Sequence, residues 1–135
     1  MNINSLDVKN EIDNVNSIIK SSQIETDSGW KNITLLGKWK TYSGQNKPQY
    51  RKIGKIVYLR GLITTEEDIT NEDRNIFQLE SGFYPTDLVN NLYFTVKRND
   101  SSEAANFQIT KAGMLFGPAL LADEWISLEG ISFPI

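Results

Sequence analysis

The chain has 135 residues, of which 39% are hydrophobic and 23% charged, a balance that fits one globular domain and excludes a disordered chain. Acids outnumber bases 17 to 14 with no Lys/Arg cluster, which leaves no electrostatic footprint for nucleic acid, and no apolar run approaches the roughly 20 residues that span a bilayer. Cysteine and histidine are both absent, which excludes disulfides, thiolate or imidazole metal sites and His-dependent nucleophile systems.

The polar start Met1-Asn2-Ile3-Asn4 does not read as a signal peptide. Asn4 with Asp7 three residues on resembles a helix cap, and Val8, Ile12, Val15 and Ile19 then recur at heptad spacing among polar residues. Two heptads rich in Asn are too short to be stable alone, so the segment needs partners. β-Branched residues at both seam positions favour three strands, which predicts a trimerisation seam through Val8, Ile12, Val15 and Ile19. The alternative is an amphipathic helix packed on its own domain. Ser21 to Ser28 is a polar connector, so residues 1–28 are assigned to a helical stalk and linker.

From Gly29 the pattern changes to period two, and residues 29–135 are assigned to a β head. Ile33 to Leu36 is predicted as a short strand, with Gly37 to Tyr42 continuing or pairing with it. Ser43 to Pro48 is a loop by composition. Tyr50 to Ile53, the Gly54-Lys55 turn and Ile56 to Ile63 predict a hairpin, its second strand apolar on both faces. An acidic excursion runs from Thr64 to Asn75, followed by a strand at Ile76 to Leu79 and a turn at Ser81 to Pro85. Leu92, Phe94 and Val96 alternate with Tyr93, Thr95 and Lys97, and Phe107 and Ile109 with Asn106, Gln108 and Thr110, as in half-buried antiparallel strands. Met114 to Phe116, Trp125 to Leu128 and Ile131 to Phe133 bring the count to about eight to ten strands at sandwich-like spacing. The predicted fold is mainly β: an antiparallel β-sandwich or jelly-roll-like head on a short N-terminal helix that forms a trimeric coiled-coil stalk.

Several ordered strings in the head resemble the C-terminal head domains of receptor-binding tail proteins from phages of Gram-positive bacteria. They are Gly29-Trp30, Leu35-Leu36-Gly37-Lys38-Trp39, Tyr50 to Gly54, Val57 to Ile63, Gly82-Phe83-Tyr84-Pro85 and Trp125 to Phe133. The resemblance implies a homotrimeric head at the virion tail tip or baseplate, meeting host cell-wall saccharide or teichoic-acid-like polymer and other phage tail proteins. It implies neither membrane insertion nor nucleic-acid binding. Most matching residues are apolar, Gly or turn residues, which define a fold more than a receptor site. Phe107 to Thr110 and Leu115-Phe116-Gly117-Pro118 are similar to the segments that carry the saccharide pocket in lactococcal phage heads. Gln108, Thr110 and Leu115 stand where that pocket has His, Asp and Trp, so the stacking platform is lost at Leu115.

Read for chemistry, the acids Glu66, Glu67, Asp68, Glu72 and Asp73 lack the glycine and offsets of a calcium loop, and form a solvated acidic loop. No metal and no cofactor is expected. A glycosidase would need two facing carboxyls at about 5 to 9 Å, for which Asp123, Glu124 and Glu129 are the available acids, and adjacent Asp123-Glu124 would point to opposite faces of a strand. Trp30 and Trp125 read as core and trimer-interface packing, while Trp39 and Tyr42 are balanced between packing and ligand. Arg60, in an apolar strand, is expected to pair with a buried acid or face the trimer axis. The candidate carbohydrate-binding residues are Trp39, Tyr42, Arg98, Gln108 and Thr110. Three function classes stand: a non-enzymatic receptor-binding head, a structural tail or baseplate part, and a wall-polymer depolymerase. A virion-anchoring region is hard to fit into 28 residues, so the chain is also compatible with a piece of a longer tail protein.

Overall fold

The computed structural model describes residues 26–99 and 102–135. Among these there is no helix, and eleven strands follow in order: β1 (Lys31–Asn32), β2 (Trp39–Thr41), β3 (Gln49–Ile53), β4 (Ile56–Arg60), β5 (Leu62–Thr65), β6 (Asn75–Gln78), β7 (Leu92–Lys97), β8 (Ala104–Ile109), β9 (Met114–Phe116), β10 (Trp125–Ser127) and β11 (Ser132–Pro134). The heptad Val8, Ile12, Val15 and Ile19 lies outside the described residues.

Period-two alternation decides which side chains go inward. In β8, Ala105, Phe107 and Ile109 are buried while Ala104 and Asn106 are exposed and Gln108 is half-buried. In β4, Val57 and Leu59 are buried, and Ile56, Tyr58 and Arg60 point the other way. All strand pairs are antiparallel: β1-β3-β4-β11 form one sheet, β6-β9-β8-β7 a second, and β10-β5-β2 a third. The first two face each other. Tyr50 of β3 packs on Phe77 of β6 at 5.5 Å between ring centroids, and Phe133 of β11 on Phe94 of β7 at 6.4 Å. Between them Val57, Phe107, Ile109, Ile76 and Leu115 are fully enclosed, so the sandwich-like head agrees with expectation. No buried side-chain nitrogen or oxygen among the described residues lacks a hydrogen-bond partner.

Three local expectations are corrected. Ile33 to Leu36 is not a strand: Ile33 N–H donates to the Pro48 carbonyl and Leu36 N–H to that of Ile76, which ties an irregular segment to two sheets. Strand β2 pairs with β5 instead, Lys40 opposite Thr64. Asp123 and Glu124 precede β10, and Asp123 is left-handed with φ 68°, so the opposite-face argument for them does not hold. The predicted hairpin is present, with Ile53 opposite Ile56 around Gly54-Lys55.

The predicted single strand Ile56 to Ile63 is two strands. It breaks at Gly61, where the chain leaves the first sheet for the third. Gly61 has φ 108°, and a Cβ there would stand 2.4 Å from the Lys47 carbonyl oxygen and 2.6 Å from Pro48 Cα. Both obstacles are backbone, so no rotamer change relieves the clash. Gly61 also accepts from Leu128 N–H at 2.8 Å, and its own N–H donates to Glu129 Oε1 at 3.0 Å. Gly61→Ala should therefore destabilise the fold by about 2–3 kcal/mol or more, a fall in Tm on the order of 10 °C. Gly44→Ala, where a Cβ meets nothing within 4 Å, should leave Tm within about 2 °C. Thermal unfolding of both variants checks the contrast, and equal Tm values would remove the constraint.

Candidate functional site

The five residues singled out as sugar contacts occupy different environments. Trp39, in β2, is only 3% exposed; its indole Nε1–H donates to the Asp73 carbonyl at 2.9 Å, and a Cβ on Gly117 would reach 2.7 Å from its ring. It is a core residue, so the expectation that its ring faces a ligand is corrected. The reverse holds for Trp30 and Trp125. Read from the sequence as core or trimer-interface packing, both are half-buried, so neither is core.

Tyr42 is 49% exposed, with its ring 5.8 Å from that of Trp125 at an interplanar angle of 50°. Lys97 Nζ lies 5.9 Å from the Trp125 centroid. Arg98 is charge-paired within the fold. Its Nε and Nη2 donate to Glu124 Oε2 and Oε1 at 2.9 and 2.6 Å, a bidentate pair that occupies this fork on an internal carboxylate. Glu124 also accepts from Asn99 Nδ2 at 2.9 Å and from Leu121 N–H at 2.7 Å. The Arg98 guanidinium first, then the Leu121 amide and Asn99, hold the Glu124 carboxyl below the usual range against the opposing effect of burial.

Gln108 and Thr110 lie on the outer side of their chain segment, opposite buried Phe107 and Ile109, as expected. The Thr110 hydroxyl is engaged within the fold, where Oγ1 accepts from Met114 N–H at 3.1 Å and closes the β8–β9 turn. Gln108 stands across from Tyr93, which is 68% exposed. Along β7 the outward residues Tyr93, Thr95 and Lys97 connect Gln108 at one end with Trp125 and Tyr42 at the other. These contacts link two of the five candidates, Gln108 and Tyr42, along one polar and aromatic strip. Leu115 is fully buried, so the position of the lost stacking platform lies inside the core.

A second surface has no counterpart among the sequence-predicted residues. Beside the Gly61 bend, two cavities of ≈ 430 and ≈ 410 Å³ share Arg60 and Glu129 as common walls. The first is closed by the 44–47 loop and Gln49, the second by Trp30, Tyr58 and Ile131. Of the two expected placements, the pairing with a buried acid is not found: Arg60 makes no ion pair among the described residues. Its carbon Cζ sits 3.9 Å from the Trp30 ring centroid, and Nε and Nη2 donate to Gln49 Oε1 at 2.9 and 2.6 Å. Gln49 Nε2 in turn donates to Asn32 Oδ1 at 2.8 Å, which fixes the amide that holds the guanidinium. The cross-strand pairing Gln49 opposite Arg60 creates this contact. An eleven-residue separation between Gln49 and Arg60, doubled back by the Gly54-Lys55 turn, was the signal available in the sequence.

No protein-family model matches the chain, and a search of curated proteins gives no match. Among solved structures, the chain is similar to the crystal structure of the receptor binding protein (gp15) of Listeria phage PSA. The TM-score is 0.62 at 13% identity, covering 98% of this chain and 80% of that one. The two share a fold.

Four carboxylates are held below their ordinary range by their partners: Asp27, brought down to about 2 chiefly by Arg51, together with Asp73, Glu80 and Glu124. A depressed folded-state pKa stabilises the fold above the unfolded value and is lost as pH falls through the folded one. Stability should therefore be flat from pH 8 to about 5 and decline progressively below about 4. Glu124→Gln should start lower at pH 7 and decline less steeply, because one of the depressed groups is gone. Urea unfolding across this range checks it, and identical slopes would exclude Glu124 from the acid response.

Proposed function

We propose that this chain is the receptor-binding head of a phage tail or baseplate protein. It acts as a homotrimer at the virion tail tip and recognises host cell-wall saccharide or teichoic-acid-like polymer without catalysis. The observation that carries this reading is the fold shared with a phage receptor binding protein over 98% of the chain. The ordered strings from Gly29 to Phe133, which resemble the heads of receptor-binding tail proteins, also support it. The exposed strip through Tyr93, Lys97, Trp125 and Tyr42 supplies the aromatic faces and polar tips that amphipathic sugars require. Against catalysis, both oxygens of Glu124 are engaged by Arg98, so the carboxylate is a poor proton donor at neutral pH. Single sugar contacts are weak, and three heads on one axis would gain through avidity where the wall polymer reaches several of them.

Purified protein should adsorb to host cell walls, and Tyr42→Ala and Gln108→Ala should each weaken adsorption about threefold or more while remaining folded. Wild-type protein that binds a tail protein but no wall polymer would instead favour the structural baseplate role. Release of reducing ends from wall polymer would establish a depolymerase. The assembly is checked separately: light scattering should give close to three times 15.3 kDa, and Ile12→Asp should lower that mass by placing three charges on one desolvated seam. A wild-type monomer at micromolar concentration would exclude the homotrimer.

A further inference from the structure

Some cations of the head are paired with carboxylates, and others, among them Arg60 and Arg74, make no ion pair among the described residues. Lys31, Lys38, Lys40, Arg51 and Arg98 each face a carboxylate, from Glu80, Asp73, Glu66, Asp27 and Glu124 respectively. Arg60 makes no ion pair among the described residues, although it is half-buried and tightly held. Its guanidinium carries five N–H donors. Two are used on Gln49 Oε1, along the Nε–Nη2 edge. The other three, including a parallel pair on the Nη1–Nη2 edge, have no hydrogen-bond partner among the described residues. That edge has the geometry to grip two oxygens of one phosphate or carboxylate.

Three features around it point to what the oxyanion would be attached to. Lys47, exposed on the loop that walls the first cavity, adds a second positive charge. Trp30, Tyr58 and Ile131 give the adjoining cavity an apolar and aromatic wall, suited to the C–H face of a sugar ring. Glu129, between the two, keeps one oxygen on Gly61 N–H and offers the other as an acceptor for hydroxyl groups. Each cavity is within the size range of small-ligand sites. Stacking on Trp30 and the Asn32–Gln49–Arg60 relay hold the guanidinium before any ligand arrives, so little side-chain entropy remains to be lost on binding.

We infer that the groove around Arg60 binds an oxyanion-bearing glycan, its phosphate or carboxylate on the free guanidinium edge and its ring against Trp30 and Tyr58. The inference deepens the receptor-binding reading and rests on it for the glycan being a wall component, but the site itself is testable alone. Isotope-labelled protein is titrated at constant ionic strength with glycerol 1-phosphate, with glucuronate and with glucose, following the Trp30 indole and Gln49 side-chain amide signals. Saturable shifts are expected with at least one anion and none with glucose, and the two anions distinguish phosphate from carboxylate as the source. Arg60→Gln should abolish saturation, and Arg60→Lys should weaken it about tenfold through loss of the paired donors. Lys47→Ala, on an exposed loop, should weaken it about threefold without affecting the fold.

Absence of saturable shifts with both anions, or saturation that persists in Arg60→Gln, would overturn the inference. So would a fall in assembly mass for Arg60→Gln, which would make the groove a contact between copies. Wall adsorption separates the two readings. Arg60→Gln protein that adsorbs like wild type ends the groove's role and leaves the receptor function standing. Anion saturation in a protein that adsorbs to no wall confirms the site and ends the receptor function.

Discussion

One backbone position with no room for a side chain holds the head together. At Gly61 the chain passes from the sheet of β4 to the sheet of β5, with the Lys47–Pro48 backbone pressed against the place a Cβ would occupy. The same residue hydrogen-bonds Leu128 and Glu129, so the bend, the 44–47 loop and the turn before β11 meet at one point. The core depends on this, because the bend lets Val57 and Leu59 face one way and Ile63 and Thr65 remain buried in another sheet. The groove depends on it too. Both of its cavities are walled by Arg60, immediately before Gly61, and by Glu129, which Gly61 N–H holds.

Charge is distributed with the same economy of contacts. Five cations face carboxylates, and the more exposed of these pairs, such as Lys40–Glu66, fix loop geometry more than they add stability. The Arg98–Glu124 pair is the most enclosed of them and joins the end of β7 to the start of β10. Arg60 is held by an amide and an indole, which orient a guanidinium without neutralising it. A positioned, uncompensated charge is what a recognition site for an anionic group needs, whereas a compensated one is a strut.

The two exposed surfaces offer different chemistry. The strip from Gln108 through β7 to Tyr42 is open and aromatic, with hydroxyl and amide tips. The Arg60 groove is concave and charged. In the proposed receptor-binding role, the open strip would give tolerance and the groove selectivity through a fixed fork of donors.

Period two in residues 92–97 and 105–110 was enough to place Phe107 and Ile109 inside and Gln108 outside, because alternation across a pleated strand is a local property. The β3–β4 hairpin was equally legible from its glycine turn. The family resemblance, carried by Gly and apolar strings, spoke to fold for the same reason: those residues answer to backbone geometry and packing. The sequence could not say which tryptophan is core, since Trp30, Trp39 and Trp125 all sit among similar neighbours. Burial was decided by Gly117 leaving space for Trp39, from 78 positions away. Nor could it predict that Arg98 is paired with a carboxylate and Arg60 with an amide. The partners Glu124 and Gln49 are chosen by strand register and sheet closure, which bring together residues 26 and 11 positions apart. Hydrophobic alternation is written residue by residue, whereas the pairing of charges is a property of distances, and only the folded chain sets those.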